Sequence, residues 1–384
     1  MKNFDLENFK KINAIIERDS KDATYKFALL RGAIEISQEY SHLKSESGNR
    51  VSFPLGLLVE KWLLYYYPLI ESSEFIPQKH GETETSTLKM SFRDTFKKVT
   101  DFYADKGGLS VFFNDYWNGK IPKEISPAVL ALALKLKTTI TTMPMRHLGY
   151  SISRNEYSVF RYDGGASRLS GSGEISQDML VKKFGTFSFP MELFAVFQYL
   201  GSFISGEDSL LYQWAEFTVN SEKSGNLTIE SVLQKLRTYP ETERAVRDAK
   251  IVYHQMFRQD QSIDCVWSGK KIKTFESVHI DHLIPFTIWK NNDLWNLLPA
   301  SGDVNNKKRD KIPAPDFVDE RSDSICRYWD ILHNAYQPRF DREASLSLIG
   351  TVPIRSDWHE IALENVKAKC EYLIDVRGFD EWRL

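Results

Sequence analysis

The chain has 384 residues with 50 Lys+Arg against 52 Asp+Glu, 42% hydrophobic residues and 13% aromatics. That balance excludes a disordered, collagen-like or rod-forming chain, and the length suits two domains, each with its own core. Cys265, Cys326 and Cys370 are too few and too scattered for a disulfide framework, so a reducing compartment is the default. The opening MKNFDLENFKK mixes charge with apolar residues, unlike a signal peptide, and no apolar run of about 18 residues exists to span a bilayer. A cytoplasmic protein with no membrane role is expected. The first 240 residues read mainly as helices by apolar spacing: one or two over residues 4 to 42, one opened by Pro54 and running through Tyr67, and one from Ser91 to the Gly107-Gly108 pair. Ser126 and Pro127 read as N-cap and first turn of a helix reaching Thr142 and ended by Pro144. Glu156 to Tyr162 alternates like a strand, Gly164 to Gly173 reads as a loop, and helical patterns resume from Gln177 to Met256. The aromatic stripe Trp62, Tyr65, Tyr66 and Tyr67 is read as core, and no phosphate-loop, dinucleotide, nucleophile-elbow or zinc-protease motif occurs.

Character changes after Asp260, beyond which six of the nine tryptophans lie. Residues 1 to 240 hold 29 positive and 28 negative side chains and residues 241 to 384 hold 21 and 24, yet Cys265 to Lys311 carries eight basic against five acidic. Positive charge is therefore concentrated in one segment. Within it, Ser268-Gly269-Lys270 predicts a turn, Ser277 to Ile284 a strand, and Asn305 to Lys311 a short helix. On a strand, His279 and Asp281 would share one face and His282 the other, unless the chain turns at the Asp-His pair, as Pro285 suggests. Asn296 follows fourteen residues after His282, and Asn305-x-x-Lys308 comes next.

These residue types suit a one-metal phosphodiesterase. A carboxylate and an amide oxygen are hard ligands for Mg²⁺, an imidazole near neutrality can take a proton from attacking water, and the metal with a nearby lysine neutralises charge on the phosphate. The segment resembles the HNH (His-Asn-His, ββα-metal) endonucleases, and in spacing it is particularly similar to the HNH domain of RNA-guided CRISPR effectors. That resemblance covers about fifty residues strongly, the helical flanks loosely, and none of the first 240. It implies His282 as general base, Asp281 and Asn305 as ligands to Mg²⁺ (or Mn²⁺), Asn296 as the residue bonding across the hairpin, and Lys308 near the phosphate. Asn306 competes with Asn305 as the amide ligand, and His279 is read as a strand-face residue or an alternative ligand. Lys270, Lys271, Lys273, Lys307 and Arg309 are candidate DNA phosphate contacts. Many family members staple the hairpin with zinc through two CxxC pairs; here position 268 is Ser, so no structural zinc is expected, and Trp267, Trp289 and Trp295 would supply the packing.

The expected architecture is a mainly α N-terminal domain with a small β element, residues 1–240, followed by an α+β HNH nuclease domain, residues 241–384 with a core at 262–315. Helical flanks are predicted near Ser322 to Ala335 and Trp358 to Val376. The expected function is cleavage of double-stranded DNA in restriction or anti-phage defence. The N-terminal domain would select DNA or restrain the nuclease through a signal, a protein partner or homodimerisation. A DNA-binding or interaction protein carrying an inactive HNH fold is the alternative.

Overall fold

The structure, a computed structural model, describes residues 6–164, 175–204, 210–223, 225–242, 244–350 and 357–384. Most of the predicted 164–173 loop lies outside them. The chain divides into two compact units, Met1–Glu241 and Thr242–Leu384, and no helix among the described residues is long and apolar enough to cross a membrane.

The N-terminal unit is helical, and its centre is the Leu55–Glu71 helix, buried on every side from Leu55 to Ile70. A helix apolar all round must be surrounded by others. Its aromatic stripe is core: Trp62, Tyr66 and Tyr67 are fully buried and Tyr65 nearly so. Its buried charged residues are partnered: Lys61 Nζ lies 2.8 Å from Glu35 Oε2 and 2.7 Å from Glu39 Oε2 on the Tyr25–Glu39 helix, and Glu60 accepts from Tyr116 and Trp117. The small β element is a four-stranded antiparallel sheet of β1 (Ser45–Ser47), β2 (Arg50–Pro54), β3 (Arg161–Asp163) and β4 (Thr186–Pro190), in the order β1-β2-β4-β3. Gly48, with φ 57°, starts the two-residue turn between β1 and β2, where a positive φ favours glycine. Val51 faces Phe189 and Phe53 faces Phe187, giving the sheet a phenylalanine-rich buried side.

Two helices, Leu6–Arg18 and Tyr25–Glu39, occupy the first forty residues, within the one or two expected there. Other local expectations shift. Ser126 is the first helical residue, with Ile125 in the cap position, so it makes no side-chain cap. Pro144 opens a further short helix, Pro144–His147, instead of only ending the previous one, because proline suits a first turn. Of Glu156 to Tyr162 only Arg161 and Tyr162 are strand, and β4 interrupts the region read as continuous helix after Gln177.

The C-terminal unit is α+β. β5 (Val278–His282) and β6 (Leu297–Ser301) form an antiparallel hairpin in which Ile280 faces Pro299 and His282 faces Leu297, and the helix Gly302–Lys308 follows directly. Helices Arg247–Arg258, Ser322–Ala335 and Trp358–Glu371 enclose it, the last continued by a wider turn to Val376. Trp267, Trp295, Trp329, Cys265 and Cys370 are fully buried in its core, whereas Trp289 is only half-buried. A mainly helical unit with a small sheet, followed by an α+β unit with a ββα core, is the fold of this chain.

Candidate active site in the ββα segment

Strand β5 ends at His282; Leu283 keeps one backbone bond across the hairpin, and from Ile284 onward the backbone is held by a side chain. Leu283 N donates to Asn296 O at 2.8 Å, Ile284 N donates to Asn296 Oδ1 at 2.8 Å, and Asn296 Nδ2 donates to Ile284 O at 3.1 Å and Asn291 O at 3.3 Å. Asn296 is fully buried, and its amide is spent on backbone. It fixes the chain after the Asp-His pair, with its side-chain amide turned to backbone and away from the surface.

Asp281 is 4% exposed and lies among donors. Trp267 Nε1 donates to its Oδ2 at 2.6 Å, and Lys308 Nζ sits 2.9 Å from Oδ2 and 3.1 Å from Oδ1. Lys308 also donates to His282 O at 2.5 Å, lies 5.5 Å from the centre of the Trp267 ring, and has no exposed surface. The lysine expected near the phosphate is therefore buried against the carboxylate. Burial lowers its pKa, and the Asp281 charge opposes that fall. Trp267, read from sequence as packing, is stacked on Phe317 at 5.9 Å and also bonds the carboxylate directly.

His282 is 2% exposed. Its Nε2 lies 3.3 Å from Asn292 Oδ1, its ring centre 5.3 Å from that of Phe286, and its buried Nδ1 has no partner among the described residues. Burial, reinforced by the nearby Arg244 and Lys308 charges, lowers its pKa to about 4 against the pull of the Asn292 bond, so the imidazole is neutral near pH 7.

Asn305 is half-buried and Asn306 exposed. Residues three apart on a helix share a face, so Asn305 stands on the side of Lys308, which touches Asp281, and Asn306 is turned away. His279 is exposed, and its imidazole covers Gly302, where a Cβ would come within 2.9 Å of Nε2. It lies over the start of the helix without capping it, and among the described residues no bond joins it to Asp281. Lys270, Lys271, Lys273, Lys307 and Arg309 are all exposed. Sequence reasoning missed Asn292 and Arg244. Arg244 donates from Nη2 to Ile280 O at 2.9 Å. Their roles come from loop placement, for which no local pattern exists.

Among the described residues no three His, Cys, Asp or Glu side chains gather into a cage, so a cation here would rest on one carboxylate, an amide and non-protein oxygens. That donor set is of the hard-oxygen type Mg²⁺ accepts. Among the described residues Asp281 Oδ1 contacts Lys308 alone and keeps a lone pair for such an ion, whereas Oδ2 already serves Trp267 and Lys308. The residues fit a divalent ion that shares the carboxylate with Lys308.

Comparison with known families adds to this geometry. Residues 5–236 match the family model described as a domain of unknown function, DUF8808, over more than half of the chain. The chain belongs to the DUF8808 family. Beyond that region, residues 265–314 match the HNH endonuclease model, which spans the hairpin and helix just described. The DUF8808 region is thus joined to an HNH nuclease segment. No curated protein matches the chain.

Proposed function

We propose that this DUF8808 protein is a Mg²⁺- or Mn²⁺-dependent DNA endonuclease whose N-terminal unit restrains or directs cutting, as in restriction or anti-phage defence. The observation that carries the reading is the hairpin end at Asp281 and His282 facing the Asn305 and Lys308 side of the following helix. HNH nucleases use divalent metal ions. Asp281 Oδ1 and the Asn305 amide oxygen would hold the ion, which when bound neutralises charge on the phosphate and the leaving oxygen. His282 takes the proton from water as its oxygen attacks phosphorus, and its low basicity keeps it in the unprotonated state that this needs. Asn296 fixes the strand end from which both residues project. Lys270, Lys271, Lys273, Lys307 and Arg309 supply exposed positive charge for the duplex backbone.

The burial of Asp281, His282 and Lys308 supports restraint: water and phosphate reach His282 only once its surroundings open. Supercoiled plasmid with Mg²⁺ or Mn²⁺, with and without cell extract, tests the reading. Nicking by wild type that His282→Ala abolishes supports it, and nicking that survives His282→Ala overturns the assignment of the base. The Asp281–Lys308 ion pair favours one competing reading, a DNA-binding protein with an inactive HNH fold. DNA binding with no cleavage in any of these conditions would establish that reading.

A further inference from the structure

His282 must present a lone pair, and a neutral imidazole has two places to carry its hydrogen. The structure contains a device that chooses between them. Asn292 Oδ1 accepts a hydrogen bond from Ala245 N at 3.0 Å, and a backbone N–H can only donate. The atom it meets is therefore the carbonyl oxygen of the Asn292 side chain, which settles the orientation of that amide. The same oxygen lies 3.3 Å from His282 Nε2. An oxygen of this kind cannot donate, so the hydrogen between them belongs to Nε2. The opposite nitrogen, Nδ1, is buried and unpartnered among the described residues.

We propose that Asn292 is a positioning residue for His282: its amide oxygen, oriented by the Ala245 backbone, holds the imidazole in the Nε2–H tautomer and leaves the lone pair on Nδ1. The proposal deepens the nuclease reading and rests on it for its catalytic meaning. It also ties the base to the segment that opens the C-terminal unit. Ala245 binds the far side of the Asn292 oxygen, while its neighbour Arg244 donates to Ile280 O at 2.9 Å on the strand that carries His282. Two consecutive residues thus hold both the strand of the base and its orienting amide. A shift of residues 244 and 245 would release the tautomer without touching a substrate-binding side chain.

The test uses full-length protein with ¹⁵N-labelled histidine, measured by nuclear magnetic resonance near pH 7, with the His282 signals assigned by their loss in His282→Gln. Wild type is expected to show Nε2 protonated and Nδ1 bare. Asn292→Ala should mix or reverse the tautomers, and Asn292→Asp, which still offers an oxygen to both donors, should restore the wild-type pattern and exclude misfolding as the cause. In cleavage assays Asn292→Ala should lower kcat by about 10- to 100-fold with little change in KM, the scale on which orienting partners of site residues act. A wild-type signal with the hydrogen on Nδ1, or a tautomer unchanged in Asn292→Ala, overturns the proposal. Because the resonance readout needs no turnover, the expected spectra in a protein that never cuts DNA would uphold the tautomer assignment and sink the nuclease reading alone.

Discussion

Asp281 and Lys308 form an ion pair with almost no exposed surface, and neither member is dispensable on its own. Taking two charges out of water costs several kcal/mol each, which their attraction and the Trp267 and His282 hydrogen bonds offset. Removing the cation alone leaves a buried carboxylate with one indole N–H for company. Lys308→Met is therefore expected to destabilise the C-terminal unit by about 3–5 kcal/mol, read from urea unfolding. Adding Asp281→Asn should recover most of that loss, because the partner left behind no longer carries charge. A double variant no more stable than Lys308→Met would show that the lysine acts by packing on Trp267, 5.5 Å from its ring centre, and not by charge.

At the scale of elements, the hairpin is tied on one side by Asn296 and the loop before it by a carboxylate cluster. Asn296→Ala leaves Ile284 N–H and O without their side-chain partners inside the unit and should cost about 2–3 kcal/mol in the same urea experiment, since a buried orphan group carries its full desolvation penalty. Leu294 N donates to Glu343 Oε2 at 2.7 Å, and Asp293 Oδ2 meets Ser347 at 2.6 Å. Burial and the Asp293 charge push the Glu343 pKa up to about 7, with Arg339 only partly opposing them. A carboxyl raised in the folded state is neutral there at low pH, so its stability contribution is full below about 4.5 and declines as pH rises toward 7. Relative to Glu343→Gln, wild type should lose up to about 3 kcal/mol between pH 4.5 and 8, and a difference constant with pH would refute this. How much of this was legible differs by element. The Val278–His282 strand was readable from its alternation and the Ser322–Ala335 flank lies where a helix was expected, whereas the helix read at Asn305–Lys311 starts and ends earlier, at Gly302–Lys308, with no side-chain cap to mark its start. The β2–β4 pair was not readable: RVSFP and TFSFP are five residues each and meet across more than 130 positions, so no local period announces them. Asp281, His282 and Asn305 stood out by type and spacing, whereas Trp267 and Asn292 became site residues only through tertiary contact.

At the scale of the molecule, the two units have separate cores, and the HNH match occupies a small part of the second. A phosphate-gripping ββα core reads little sequence, since phosphate contacts position and base contacts specify. Under the proposed nuclease reading, selection or restraint would fall to the rest of the chain, and the near balance of 29 positive and 28 negative side chains in residues 1–240 gives that part no net positive charge toward a duplex. Restraint is the reading this charge balance favours. If His282 is the base, its burial beside Asn292 and Phe286 points the same way, because a base closed off from water lends itself to control by movement of those neighbours. Thr242–Leu384, with its own tryptophan-rich core, is expected to unfold cooperatively by itself and to nick plasmid faster than the full chain in the absence of any trigger. The comparison is decisive in both directions when paired with a band shift on residues 1–241. Faster cutting by the isolated unit and no duplex binding by the rest support restraint. Slower cutting, with tight and salt-sensitive duplex binding by residues 1–241, would mean that the DUF8808 region selects the DNA and that its charge balance hides a local basic face.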